Sequence, residues 1–344
     1  MRSYIDLVTN MQSAGSVFRL IVSIIFVTVL FLTFFIWKLS PVIKTPQHSI
    51  VTAEVELEHA KVAEADEKPH EYFEFRTVLE NASLCEDDPQ IVLSVFTAPT
   101  DFHGRATLRR LWAHNLLFKG VKLRVVFPIG RTDTWQNQSD IERESRTFGD
   151  ILQQDYIDSY HNLSLKRLAS IDWQLRRCAN AHWTVKADDD VFVNTHRLIE
   201  FYLYYRQHNL SGFFCFTNYG AEPMRAGKWR VTKEEFPGNK YPPYCIGFMT
   251  VCSLSDSRRL LEAARTSKFL WIEDVFIGGL LRAAARVELH SFLSSEGFGA
   301  RWGLKENARV TNVERYIVFD CVQHRKIQSV WKMLRQNINK FYQL

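Results

Sequence analysis

The chain has 344 residues, with 43 Lys or Arg against 38 Asp or Glu and a formal charge of +5. The basic residues are scattered rather than gathered in blocks, which weighs against a nucleic-acid-binding protein. Charge is uneven, however: residues 51–90 hold twelve acids and three bases, so the rest of the chain carries +14 and suits an anionic substrate such as a nucleotide diphosphate.

Leu20 to Trp37 is an uncharged apolar run of 18 residues, close to the roughly 20 that a helix needs to cross a hydrocarbon core of about 30 Å. It is longer than the roughly 7 to 15 residues of a cleaved signal core, and no small-residue cleavage site follows in Lys38-Leu-Ser-Pro-Val42. The run predicts a cytosolic tail at 1–19 and one uncleaved transmembrane signal anchor at 20–37. Arg2 and Arg19 precede the span while Lys38 and Lys44 follow it, so charge alone does not orient it. The Asn-x-Ser sequons at Asn81, Asn137, Asn162 and Asn209 all lie after the span and favour a lumenal body. Cys85, Cys178, Cys215, Cys245, Cys252 and Cys321 include no Cys-x-x-Cys, which weighs against zinc and fits disulfides in an oxidising lumen. Cys215 and Cys252, in apolar surroundings, read equally well as buried thiols.

Residues 38–88 are Glu-rich, bear prolines and lack apolar periodicity, the composition of a stem. Residues 89–344 then suit one domain. Gln90 to Thr97 reads as a buried strand, and Arg105 to Phe118 has helical spacing. Val121 to Phe127, closed by Pro128 and Gly130, reads as a second strand. Leu163 to Ala179 carries a second helical pattern ahead of a strand at Trp183 to Val185. This alternation predicts an α/β fold with a mainly parallel central sheet, in which ligands gather beyond the carboxyl ends of strands.

The triplet Asp188-Asp189-Asp190 falls at one such end, flanked by apolar residues. Two carboxylates one residue apart there can grip a hard cation such as Mg or Mn, which bridges diphosphate oxygens as a sugar departs. Glu273-Asp274 precedes a further helix, where acids serve as caps or, in a cleft, as a general base. Lys240-Tyr-Pro-Pro-Tyr-Cys-Ile-Gly247, preceded by Gly227-Lys-Trp229, reads as a stiff loop whose aromatic faces suit sugar rings.

Taken together, the motifs resemble the β1,3-glycosyltransferase family that includes β1,3-galactosyltransferases and β1,3-N-acetylglucosaminyltransferases. They run in order over residues 90–335: Arg105-Ala-Thr-Leu-Arg109-Arg-Leu-Trp112, Gly149 to Lys166, Lys186-Ala-Asp-Asp-Asp-Val-Phe-Val-Asn194, Lys228-Trp229, Tyr241-Pro-Pro-Tyr-Cys245-Ile-Gly247 and Glu273-Asp274-Val-Phe-Ile-Gly278. The resemblance implies a GT-A type nucleotide-sugar-binding fold, a UDP-sugar donor, Mn2+, and inversion to a β1,3 product on a glycoprotein or glycolipid glycan. It assigns Asp274 as the base, and Asp188 and Asp190 to the metal, with Asp190 the direct ligand. Arg105, Arg109, Lys166, Asp188 and Asp189 become donor contacts, and Cys178–Cys245 the first disulfide pairing. A Golgi membrane protein with one span follows.

The chain departs from the family pattern at Gly104-Arg105, Leu111-Trp112 and Ile246-Gly-Phe-Met-Thr250. Phe248 and Met249 would reshape or block the sugar pocket. His290 and His324 are both available as a further metal ligand. The expected activity is transfer of galactose. Transfer of N-acetylglucosamine and a non-catalytic glycan-binding or partner-binding role are the alternatives.

Overall fold

The computed structural model describes residues 75–344 except 133, 209, 293–297, 305–312 and 322–326. The span at 20–37 and His324 lie outside the described residues. Among those described, no helix is long and apolar enough to cross a membrane.

The first half alternates strand and helix. After β1 (Thr77–Leu79) come β2 (Ile91–Phe96), α1 (Phe102–Leu111), β3 (Leu116–Phe118), β4 (Val121–Arg131), α2 (Trp135–Phe148), β5 (Ile151–Ile157), α3 (Leu163–Arg177) and β6 (Trp183–Asp188). Every residue of β2 is buried, as expected of an apolar strand covered on both faces. Side chains fix the helix starts: Asp101 accepts from the Gly104 N–H ahead of α1, and Thr134 from the Asn137 N–H ahead of α2. The second half adds β7 (Val191–Val193), α4 (Thr195–Gln207), β8 (Phe213–Asn218), β9 (Tyr244–Ser253) and α5 (Leu254–Ala264). Next is α6, a continuous helix in which the α-helical turns Glu273–Val275 and Arg282–Ala284 flank a π-helical stretch, Phe276–Leu281. The chain ends with β10 (Leu289–Ser291), β11 (Gly299–Leu304), β12 (Tyr316–Cys321) and α7 (Ile327–Tyr342).

The main sheet runs β1-β5-β4-β2-β6-β9-β8-β10, with β3 also paired to β4. Strands β5, β4, β2 and β6 are parallel, whereas β9 is antiparallel to both β6 and β8. A second sheet orders β11-β12-β7. The fold is thus mixed α/β with a mostly parallel centre. One core lies between the main sheet and α1, α2, α4 and α7; the other lies on the α3, α5 and α6 side.

Several local expectations change. The helix read over Arg105 to Phe118 is α1 followed by β3, and β4 continues through Pro128 to Arg131. Proline is tolerated because β2 pairs β4 only as far as Val126, leaving that side of the ladder without a bond to lose. The Tyr-Pro-Pro-Tyr segment enters β9 at Tyr244. Residues 77–85, within the segment read as stem, join the body: β1 pairs β5, and Cys85 is bonded to Cys178.

The expected Cys178–Cys245 bond does not form. The disulfides are Cys85–Cys178 and Cys215–Cys245, and Cys252 is a buried free thiol. Cys178 lies just ahead of β6, whose first residue Trp183 pairs with Ser253. Cys245 sits eight residues back along β9, roughly 26 Å of extended strand, whereas a disulfide needs Cα atoms about 4.4 to 6.8 Å apart.

Candidate active site

Ser94, Lys186 and Thr250 lie side by side across β2, β6 and β9. Their side chains therefore share the face covered by α3, where Ser94 Oγ meets Ser170 Oγ at 2.8 Å. Alternation along β6 sends Ala187 into the opposite core and returns Asp188 to the α3 face. A lysine buried in a strand requires partners. Lys186 Nζ lies 2.7 Å from Asp188 Oδ1 and 3.3 Å from Glu273 Oε2, and donates to the Gly247 carbonyl. The Gly247 backbone in turn packs directly against the Asp274 carboxylate.

Gly247 must be glycine for a steric reason. A Cβ there would collide with Asp274 Oδ1 and lie 2.9 Å from its Cγ and 3.0 Å from Glu273 Oε2. The strand end of β6, a kink in β9 and the first turn of α6 thus bring Asp188, Glu273 and Asp274 around one ammonium, although the two acidic motifs are more than eighty residues apart in sequence. The wide π-helical turn begins two residues after Asp274, at Phe276, and π-helical turns recur at functional sites.

The electrostatics follow from crowding. Burial opposes the Lys186 charge, but Asp188, Glu273 and Asp274 outweigh it and hold the ammonium above its ordinary range. Burial, then Asp190 and Glu273, push Asp188 up to about 6 against the pull of Lys186. Burial and its two neighbours in the triplet push Asp189 up to about 7, with Asp101 adding and Lys166 opposing. Asp274 is pushed up to about 8 by burial and then Glu273, while Lys186 and the Gly247 N–H favour its ionised form.

The three basic residues expected at the donor hold the neighbouring loop. Arg105 is fully buried: it bonds Glu144 through Nε at 2.9 Å and Nη2 at 2.7 Å, and donates to Thr97 Oγ1, Ala98 O and Pro99 O. Arg109 bridges Glu144 and Asp150, each at 2.7 Å. Lys166 reaches Thr97 O at 2.8 Å and Asp158 at 2.9 Å. Arg105 and Lys166 fix residues 97–99 at the carboxyl end of β2, beside the Asp triplet, while Arg109 holds Glu144, the partner of Arg105. Lys166 lies close enough to feel the charge of Asp189.

His290 is not brought to the carboxylates. It lies on β10, three strands from β6 or roughly 14 Å, where its ring stacks on Phe214 at 4.4 Å and its Nε2 meets Ser211 O at 3.0 Å. Phe248 and Met249 are buried in the core opposite α3, Met249 paired with Ala187. Gly247 was expected to admit a close approach to the backbone, and Asp274 makes it; the role of Lys186 was not anticipated, though a lysine inside an apolar strand is itself a signal that buried acids are near.

The galactosyltransferase family model matches residues 103–292, and the chain belongs to that family. Human beta-1,3-galactosyltransferase 5 is 30% identical over 254 residues, covering 72% of this chain and 79% of the relative. Its gorilla counterpart is 34% identical over 249 residues, covering 71% and 81%. Mouse beta-1,3-galactosyltransferase 1 is 30% identical over 269 residues, covering 76% and 78%. The chain is therefore a hexosyltransferase, an enzyme joining a sugar from a nucleotide-sugar donor to a glycan acceptor.

Proposed function

We propose that the enzyme transfers galactose from UDP-galactose to the 3-hydroxyl of a terminal sugar, with inversion and with Mn2+, on a GT-A type scaffold. The carrying observation is the cluster in which Asp274 and Asp188 converge around Lys186 at the strand ends. Inversion needs one base opposite the leaving diphosphate. Asp274 would take the proton from the acceptor hydroxyl, and its raised pKa makes it a stronger base than a solvated aspartate.

The donor set suits a hard divalent cation. Asp188 and Asp190 would hold it through carboxylate oxygens. Among the described residues Asp190 makes no hydrogen bond or ion pair, whereas Asp188 is shared with Lys186. Also among the described residues, no three His, Cys, Asp or Glu side chains form a ready-made centre, so diphosphate oxygens and water would complete the shell. Bound there, the ion would supply positive charge to the leaving diphosphate. Arg105 and Lys166 act by fixing the loop that would face the nucleotide, Arg109 by holding Glu144 against Arg105, and Asp189 stands beside that loop.

The names of the relatives favour galactose over N-acetylglucosamine. Burial of Phe248 and Met249 in the core removes the reason for a non-catalytic reading. A Golgi location, with one span at 20–37 and a lumenal body, is supported by the apolar run and by two disulfides, which persist in oxidising compartments.

The test is UDP release by the full-length chain with UDP-galactose, UDP-N-acetylglucosamine and UDP-N-acetylgalactosamine, with and without Mn2+, on acceptors ending in each of these sugars. Manganese-dependent release with UDP-galactose should fall by roughly 100-fold or more in Asp274→Asn. Full activity in that variant, or turnover indifferent to Mn2+, would overturn the assignment.

A further inference from the structure

Trp229 and Tyr160 are large aromatic side chains, yet each is 46% exposed. The Trp229 Nε1–H donates to the Tyr160 hydroxyl at 2.8 Å, and Lys228 Nζ lies 4.5 Å over the Tyr160 ring. Behind this pair, His161 stacks on buried Trp271 at 4.1 Å and 17°, and Tyr160 meets Trp271 edge-on at 6.2 Å.

The surface is held rigid from below. Arg225 donates to the carbonyls of Val231, Thr232 and Gly238, clamping the loop that carries Trp229. Ser164 Oγ donates to Leu270 O at 2.8 Å, tying the start of α3 to the segment ahead of Asp274. A platform fixed in this way loses little side-chain entropy when a ligand settles on it.

We propose that Trp229 and Tyr160 form a stacking subsite for a non-reacting pyranose ring of the acceptor, so that the enzyme prefers acceptors of two or more sugars. The apolar C–H face of a pyranose packs on an aromatic face, while the Lys228 ammonium, which lies over the Tyr160 and Trp229 rings at 4.5 and 5.4 Å, and the Tyr160 hydroxyl meet its hydroxyls. Placement selects the acceptor over the nucleotide base. Trp271 precedes Asp274 by three residues, so their Cα atoms lie within roughly 10 Å, and Asp274 is the group that must meet the acceptor hydroxyl. The subsite rests on the proposed transfer reaction, which assigns Asp274 that role.

Binding tests the subsite without turnover. The full-length chain and its Trp229→Ala, Trp229→Phe and Tyr160→Ala variants would be titrated with lactose, N-acetyllactosamine, methyl β-galactoside, methyl β-N-acetylglucosaminide, and UDP with Mn2+. Disaccharide affinity should fall roughly tenfold in both alanine variants, monosaccharide affinity should change less, and Trp229→Phe should retain most of it. UDP affinity should hold, which also reports intact folding. Loss of UDP affinity in a variant whose urea midpoint is unchanged would assign the platform to the base. Unchanged disaccharide affinity in the variants, or none in the wild type, would also overturn the proposal. Failure of the transfer reaction is read separately, by UDP release.

Discussion

The Asp274 carboxylate rests directly on the Cα of Gly247, with no room between them for a methyl group. Gly247→Ala must therefore push the carboxylate off its present position against β9. A displacement of about 1 Å at a reacting group costs roughly 100-fold in rate. We expect kcat to fall by about that factor with UDP affinity within about threefold of wild type, measured by steady-state kinetics and titration. Wild-type kcat would show that Asp274 does not depend on this contact.

Lys186 offsets three carboxylates, so its removal should be worse than removal of one acid. Lys186→Met leaves Asp188 and Glu273 facing each other without a cation, and breaking a buried pair in this way costs about 3–5 kcal/mol. Adding Glu273→Gln should recover at least about 1 kcal/mol, because it removes a charge that the first substitution stranded. Urea unfolding of the two single variants and the double variant measures the coupling. Strict additivity would mean that Lys186 and Glu273 do not interact.

The parallel half of the fold was legible because its strands are continuous apolar runs, as in Ile91–Phe96, and its central helix has clear spacing, as in Leu163–Arg177. The antiparallel strand β9 was less so, since Pro242 and Pro243 announce a loop just where a strand begins. Asp188 and Asp274 could be picked out by residue type and apolar flanks. Their convergence on Lys186 could not, because it depends on β9 and α6 folding back onto β6. The disulfides were hidden for the same reason: pairing depends on which sheet end each cysteine occupies, and Cys178 and Cys245 occupy opposite ends.

Cys85–Cys178 closes a separation of 93 residues and anchors the segment ahead of β2 to the end of α3. In the chain-entropy account, losing a bond across so long a loop costs roughly 4–5 kcal/mol. Replacing both cysteines by serine should lower stability by an amount of that order. Peptide mapping under non-reducing conditions should recover Cys85–Cys178 and Cys215–Cys245 linkages. A Cys178–Cys245 peptide would contradict the fold of this region.

His196 supplies a pH dependence remote from the active site. It is buried, stacked on Tyr342 of α7 at 4.9 Å and edge-on to Phe118 at 4.8 Å. Burial, then Arg335 and His114, push its pKa down to about 4, with Glu200 opposing. The unfolded chain, with an ordinary histidine, therefore takes up a proton before the folded chain does. The stability held in the neutral ring is complete above about pH 6.5 and is lost as pH falls toward 4, reaching about 3 kcal/mol at most. His196→Phe keeps an aromatic ring against Tyr342 and removes the titration, so stability should depend less steeply on pH between 4 and 6.5. Parallel slopes for both proteins, from urea midpoints across that range, would show that His196 is not the group responsible.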